Sequence, residues 1–456
     1  MKNIAAALML VLSILTMKSA EIVCGDWSGK LNVGPQSLTI VLHITQHGDS
    51  LVSLLDSPDQ GASGIPTSST SFSSDSTLKV AIDMLHASYT AKLQPDGKSL
   101  VGIFNQMMNF DLTLTKISKE DEANLTKRPQ DPVPPLPYKS DEVKFVDKID
   151  GDTLAGTLTY PASGNKFHAV VLVNGSGAQN RNEEIFGHRP FLVLSDYLTR
   201  HGIAVLRYDD RGIGQSSGTT KGTTTVNMSH DAEAALDFLA AQKCVDKNRI
   251  GIIGHSEGGM IALIEAANNP KVKFIATLAA PGVKGDSLMK KQNEMIIKAN
   301  GLNPDAATLS IIGRLYSILA NSSSLEKKKE ELKSFLQITP QLIGNNIDIN
   351  EAVEAYCSPW MLYFVNYDPT ENIRRVKCPV LAMNGTLDGQ VDCETNLGAI
   401  INGIKGGNLT AKRYEGLNHL FQHCNGWVGS MNYGSFKETM SEEVMSDIAT
   451  WILNLK

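Results

Sequence analysis

A serine hydroxyl attacks a carbonyl only when a neighbouring imidazole takes its proton. The residues that could do such chemistry are therefore a serine held clear of its backbone, a histidine, and an acid to orient that histidine. The run Gly254-His255-Ser256-Glu257-Gly258 offers the serine. Glycines two before and two after it let a strand turn sharply into a helix. That turn lifts the hydroxyl into the open and aims the helix N-terminus at a developing oxyanion. The same spacing recurs at Gly214-Gln215-Ser216-Ser217-Gly218. Context separates the two. Ser256 follows the apolar segment Ile250–Ile253 and opens the helical run Gly259–Ala267, whereas Ser216 leads into the loop-like Thr219–Thr223. Ser256 is the expected nucleophile and Ser216 a loop residue.

For this arrangement the acid and the histidine follow the serine along the chain. Asp388 lies just past the apolar segment Val380–Met383 and is the expected acid. Asp392, further along and inside the next helix, is its competitor. His419 follows the strand-like Leu409–Tyr414 and is the expected general base, with His423 as its rival within one helical turn. His168, His188 and His201 precede the elbow and read as surface or capping residues, and His255, pointing away from the elbow, as packing or as support behind the nucleophile. An oxyanion needs at least two donors. One is expected from the backbone N–H of Glu257, the other from the glycine-rich turn after Val171–Val173, with Ser176 first and Gly177 second. No CxxC or Cys/His cluster occurs, so neither a metal nor a cofactor is expected.

Such residues need a sheet to hold them. Over 142–456 apolar segments alternate with helical ones: Ala169–Val173, a helix near Pro190–Arg200, Ile203–Arg207, a helix from about Asp231 to Ala241, then Ile250–Ile253. Phe274–Leu278 and Val380–Met383 complete the series. This is the pattern of a mostly parallel sheet covered on both faces. The alternation stops over about 283–375, a Lys-, Glu- and Leu-rich stretch that predicts a helical cap above the carboxyl ends of the strands. Upstream, 21–120 carries short alternating segments such as Leu78–Asp83 and Phe110–Ile117, which predict a small antiparallel sheet or barrel. Between them, 121–141 contains five prolines (Pro129, Pro132, Pro134, Pro135 and Pro137) and predicts an extended linker.

The chain has 456 residues and a net charge of -6, so it presents no basic face for nucleic acid. At the N-terminus, Lys2 precedes an apolar run from Ile4 to Leu15 that is too short to span a bilayer. Residues 1–20 have the basic-then-apolar order of a secretory signal, which predicts a periplasmic or secreted protein with no stable membrane insertion. Export permits disulfides among the six cysteines. A Cys393–Cys424 bridge is one hypothesis, because each follows a candidate site residue by the same interval.

Four tracts together resemble a known family: Asn174–Asn182, with Gly175-Ser176-Gly177 and Arg181; Arg207–Gly218; Gly254–Gly259; and Asn384–Asp388. The chain is similar to bacterial α/β-hydrolase esterases of the EstD type, relatives of the prolyl-oligopeptidase-like hydrolases. Ala178 stands where that pattern has proline, and Asn180 and Asn182 where it has acidic residues. The resemblance implies an α/β-hydrolase fold, a structural turn at Asp209–Gly218, and hydrolysis of carboxylic esters through an acyl-enzyme. The expected substrate is a small ester with a short to medium acyl group. A serine peptidase or acyltransferase with the same residues is the alternative. A lipid- or carbohydrate-binding protein with an inactive hydrolase domain is a third reading.

Overall fold

The computed structural model describes residues 22–455 apart from 34–35, 49, 61, 126, 300, 344–346 and 428–429. The expected secretory signal, 1–20, lies outside the described residues. Alternation of apolar and polar residues makes the first strands: β1 (Gly25–Val33), β2 (Gln36–His47), β3 (Ser50–Ser57), β4 (Ala62–Pro66), β5 (Ser69–Phe72). Next come β6 (Thr77–Ile82), β7 (Ala87–Leu93), β8 (Ser99–Gln106) and β9 (Met108–Ile117). All pair antiparallel, and the order β2-β1-β9-β8-β7-β6-β5-β3 returns from β3 to β2, with β4 appended to β3. Closure into a barrel leaves no edge strand among the eight in the circuit. One side chain in two points inward, and Leu78, Val80, Ile82, Leu100, Leu112 and Leu114 fill the interior. Trp27 is fully buried there and donates its indole N–H to the Val23 carbonyl at 2.8 Å. This barrel belongs to a unit made of the described residues up to Pro129 together with Ile185–His188 and Met431–Lys437.

The other unit comprises Gln130–Glu184, Arg189–Ser430 and Glu438–Lys456. Its strands are β10 (Tyr138–Val146), β11 (Thr153–Pro161), β12 (Phe167–Val173), β13 (Ala204–Tyr208), β14 (Val245–His255), β15 (Phe274–Leu278), β16 (Val380–Gly385) and β17 (Leu409–Tyr414). They form one sheet in the order β10-β11-β13-β12-β14-β15-β16-β17. β10–β11 and β11–β13 pair antiparallel, and every later pair is parallel. Residues of β13 and β15 are buried throughout, as a strand covered on both faces requires. Helices Thr225–Ala240, Glu257–Asn268 and Cys393–Gly403 cover one face, contributing Leu236, Leu239, Ile261, Leu263 and Leu397 to its apolar layer. Helices Pro190–Arg200 and Glu442–Leu453 cover the other, through Phe191, Leu194, Leu198, Val444 and Ile448.

Between β15 and β16 run the helices Gly285–Ala299, Ala306–Ala320, Leu325–Ile338, Ile349–Tyr356, Pro359–Asn366 and Thr370–Arg375. They enclose an apolar cluster of their own, including Leu315, Leu319, Leu332, Leu336 and Val353. Three boundaries differ from the sequence reading. β10 begins at Tyr138, inside the stretch read as linker, because Pro137 is the last proline and every later N–H can join a ladder. The stretch also begins within a short helix, Lys119–Leu125, rather than in extended chain. The helix expected from Asp231 starts at Thr225, where Thr224 and Asn227 form a reciprocal capping box.

Candidate active site

Strand β14 ends at His255, and Ser256 turns the chain with φ 54° and ψ -120° before the helix Glu257–Asn268 begins. A non-glycine residue holds such a backbone only where its surroundings impose it. Here Ser256 donates its N–H to the Leu278 carbonyl of β15 at 2.8 Å. The flanking glycines are steric necessities. A Cβ on Gly254 would stand 2.0 Å from the Gly258 carbonyl oxygen, and one on Gly258 would stand 2.0 Å from that of Val173.

Asp388 follows β16 and is fully buried. Its Oδ1 accepts the N–H groups of Gln390 and Val391, each at 2.8 Å, and its Oδ2 lies 2.8 Å from Nδ1 of His419. The two backbone bonds fix the carboxylate, so the imidazole is aimed by a rigid partner. With Nδ1 donating to that carboxylate, Nε2 is left as a base. The loop that carries His419 is shaped by Asn418, whose Oδ1 accepts from the N–H groups of Leu420 and Gln422 at 3.0 Å. Nothing in the sequence reading singled out Asn418; its position directly before His419 was the only available signal.

The competitors have other work. Asp392 caps the helix Cys393–Gly403, accepting from Thr395 N–H at 2.8 Å. His423 is exposed and pairs with Glu438 at 2.8 Å. His201 stacks on Tyr197 with ring centroids 4.2 Å apart. His168 and His188, read as surface or capping residues, are buried; His168 lies within β12, and the imidazole of His188 meets the Tyr433 carbonyl at 3.0 Å. Ser216 donates its hydroxyl to the Asp209 carbonyl at 2.7 Å and accepts the Ala155 N–H at 2.9 Å, so it ties a turn to β11. Arg181 retains acidic partners despite its asparagine neighbours: Asp209, at 2.7 Å, and Glu142. The thiols of Cys393 and Cys424 are both buried and unbridged. The Cys393–Cys424 hypothesis is thereby corrected: Cys393 opens a helix packed on the sheet, while the Cys424 thiol faces the Gly416 carbonyl at 3.5 Å.

After β12, Ser176 and Gly177 form an exposed turn, Gly177 with φ 102°. The preceding N–H, of Gly175, is taken by the Glu183 carboxylate at 2.7 Å. Ser176, Gly177 and Ala178 border a cavity of about 840 Å³ that extends to Cys357, Trp360 and Leu362 of the helical insertion. The Glu257 side chain is buried beside it, held by Thr225 Oγ1 at 2.5 Å and by Trp360 Nε1 at 3.0 Å. Burial pushes its pKa up against the pull of those bonds. Burial likewise raises Asp210, at the cavity edge, to about 7, although Asn174 and the Gln179 N–H bond to it. Of the two roles expected for His255, support behind the nucleophile fits its contacts: Nδ1 meets Glu183 Oε1 at 2.8 Å and Nε2 meets the His419 carbonyl at 2.9 Å. Asp147, Asp150 and His230 are close enough to share a cation, but the Arg211 guanidinium already stands 2.9 Å from Asp150 and 3.3 Å from Asp147.

Comparisons with known proteins point to hydrolases. The chain is 26 % identical over 320 residues to esterase EstD of Thermotoga maritima, a span of 70 % of each protein. It is 26 % identical over 252 residues to a 31.7 kDa Escherichia coli protein described as uncharacterised, covering 52 % of this chain and 79 % of that one. Among solved structures, an esterase of Pyrococcus furiosus matches at 15 % identity with a TM-score of 0.44, over 70 % of this chain and 91 % of its own. The profile of the family described as serine aminopeptidase, S33, matches residues 189–423, which include Ser256, Asp388 and His419. The chain belongs to that family of α/β-hydrolases.

Proposed function

We propose that this chain hydrolyses carboxylic esters through an acyl-enzyme on Ser256. The observation that carries the reading is the 2.8 Å bond between the buried Asp388 carboxylate and His419 Nδ1, on loops that follow neighbouring strands of the sheet that ends in the Ser256 elbow. In this reading His419 Nε2 takes the Ser256 proton as Oγ attacks the ester carbonyl. The tetrahedral oxyanion accepts N–H groups from Glu257 and from Ser176 or Gly177. Collapse expels the alcohol, which leaves with the proton that His419 holds. Water then repeats the attack on the acyl group, and His419 returns a proton to Ser256.

The proposed substrate is a small ester with a short to medium acyl group, supported by the likeness to an esterase and by a cavity of ligand size, about 840 Å³. No cofactor enters these steps. The family description raises an aminopeptidase as a second reading. An aminopeptidase needs a carboxylate for the substrate ammonium, and those beside the elbow are engaged: Glu257 by Thr225 and Trp360, Asp210 by Asn174 and Gln179. That weighs toward esters.

A fluorophosphonate should label Ser256 in the native chain and fail to label Ser256→Ala, while Ser216→Ala labels normally. Nitrophenyl esters of graded length should turn over and aminoacyl anilides should not. Labelling that persists in Ser256→Ala, or anilide cleavage exceeding ester cleavage, overturns the reading.

A further inference from the structure

Three loops must keep fixed distances if this chemistry is to run: the turn bearing Ser176 and Gly177, the elbow, and the loop bearing His419. One pair of side chains joins all three. Glu183 is 3 % exposed and holds a left-handed backbone, φ 52°. Its Oε1 accepts the Gly175 N–H at 2.7 Å and meets His255 Nδ1 at 2.8 Å. On the far side of the ring, His255 Nε2 meets the backbone carbonyl of His419 at 2.9 Å, and the two imidazole rings stand 4.6 Å apart.

Both partners of the His255 ring are acceptors, so each ring nitrogen needs a proton and the ring fits best as an imidazolium. Burial acts to lower its pKa. The charge and hydrogen bond of Glu183, the His419 carbonyl and the charge of Asp388 outweigh burial, and the net shift is upward. The titratable groups facing His255 are Glu183, His419 and Asp388. Glu183 Oε2 is buried with no hydrogen-bond partner among the described residues. A carboxylate so placed relies on its imidazolium for compensation.

We propose that Glu183 and His255 are positioning residues for the hydrolysis, a buried carboxylate–imidazolium pair that spaces the general base and the oxyanion turn about Ser256. Neither touches the substrate. The proposal rests on the reading of Ser256 and His419 given above.

The pair has a chemical signature that packing alone lacks. A neutral His255 cannot satisfy both partners. Keeping the Nδ1 proton turns a lone pair on the His419 carbonyl; keeping the Nε2 proton turns one on the Glu183 carboxylate. Loss of the proton at alkaline pH therefore loosens the His419 loop. Glu183→Gln keeps an oxygen at the Oε1 position, which accepts from the Gly175 N–H and the His255 Nδ1–H, but removes the charge that retains the second ring proton, so the neutral ring meets the His419 carbonyl with a lone pair at every pH.

The test uses the full chain, a short-chain nitrophenyl ester and fluorophosphonate labelling. In the native protein kcat should fall on the alkaline side, above the ordinary imidazole range. Glu183→Gln should abolish that alkaline fall while lowering neutral-pH kcat about 10-fold or less. His255→Phe should lower kcat by about 10- to 100-fold with KM within about twofold, the scale of a displaced catalytic group. The double variant should be no slower than His255→Phe alone, as for residues acting as one unit. If His255→Phe does not fold, judged by its melt, the Glu183→Gln profile decides. A native profile without an alkaline fall, the same fall in Glu183→Gln, or losses that multiply in the double variant overturns the pair. A native chain that neither labels nor turns over overturns the hydrolase reading and the pair together; a labelled, active chain with unaffected variants overturns the pair alone.

Discussion

At the scale of single residues, Asp388 makes three bonds with two oxygens: two backbone N–H groups on Oδ1 and the imidazole on Oδ2. Asp388→Asn keeps the shape but presents an amide to His419 Nδ1, which forces the proton to Nε2 and, in the proposed mechanism, leaves no base for Ser256. By analogy with the same change in a serine protease, kcat should fall about 10⁴-fold with the melting midpoint nearly unchanged; a loss under about tenfold would remove Asp388 from the mechanism. Asp210 supplies a pH prediction. Its pKa is raised to about 7, so the folded state binds that proton more tightly than the unfolded chain. The stability this contributes is complete below the ordinary carboxylate range and is lost as pH rises through about 7. Melting midpoints should therefore decline toward mildly alkaline pH, and Asp210→Asn should flatten the upper part of that decline. Asp231, raised by burial to about 6, leaves a lower part in place. The places of Ser256, Asp388 and His419 just past strand ends were legible in the sequence, because apolar segments and chain order mark them. Glu183 was not, because its partner lies 72 residues away and neither sits in a motif that demands the other.

At the scale of elements, the elbow was legible because its glycines are sterically obligatory. Gly258→Ala would put a Cβ 2.0 Å from the Val173 carbonyl, backbone that cannot yield cheaply. The expected outcome is a loss of about 1–3 kcal/mol of stability and of Ser256 labelling together, checked by denaturant melts beside fluorophosphonate reactivity. The helical insertion was legible as a break in the strand–helix alternation, yet its link to the elbow was not. Trp360 and Glu257 lie 103 residues apart, and their bond appears only when the helix Pro359–Asn366 folds against the elbow. Trp360→Phe removes a donor from a carboxylate whose pKa burial already raises, so the shift grows. A raised carboxylate pKa withdraws stability as pH increases. The variant should therefore melt near the native midpoint at about pH 5 and well below it at about pH 8; a gap that stays constant with pH would show packing loss alone. In the barrel, Ser69–Phe72 lacks an apolar stripe strong enough to announce a strand, and only its pairing with Thr77–Ile82 on one side and with β3 on the other makes it one.

At the scale of the whole molecule, the prolines between Pro129 and Pro137 marked a change of texture, and the first long segment of one unit ends at Pro129. A linear reading nevertheless misses that the first unit is assembled from three pieces of chain. Ile185–His188 and Met431–Lys437 join the segment ending at Pro129, and Arg128 gathers them. Its guanidinium donates to the carbonyls of Phe186 at 3.0 Å, Gly187 at 3.3 Å, Gly434 at 2.9 Å and Phe436 at 2.7 Å. One planar cation with five donors suits four carbonyls; a lysine could not reach them in that fork. Removing it leaves part-buried carbonyls without a donor, each costing about 1 kcal/mol or more. Arg128→Ala should accordingly lower the melting midpoint by several degrees, and Arg128→Lys should recover only a fraction of the loss. Ser256, Asp388 and His419 belong wholly to the other unit, so Ser256 labelling below the melt should continue at the native rate in both variants. Equal melts for all three proteins would mean that Arg128 does not hold these segments together. Slowed labelling at temperatures where the chain is folded would mean that its influence extends into the site.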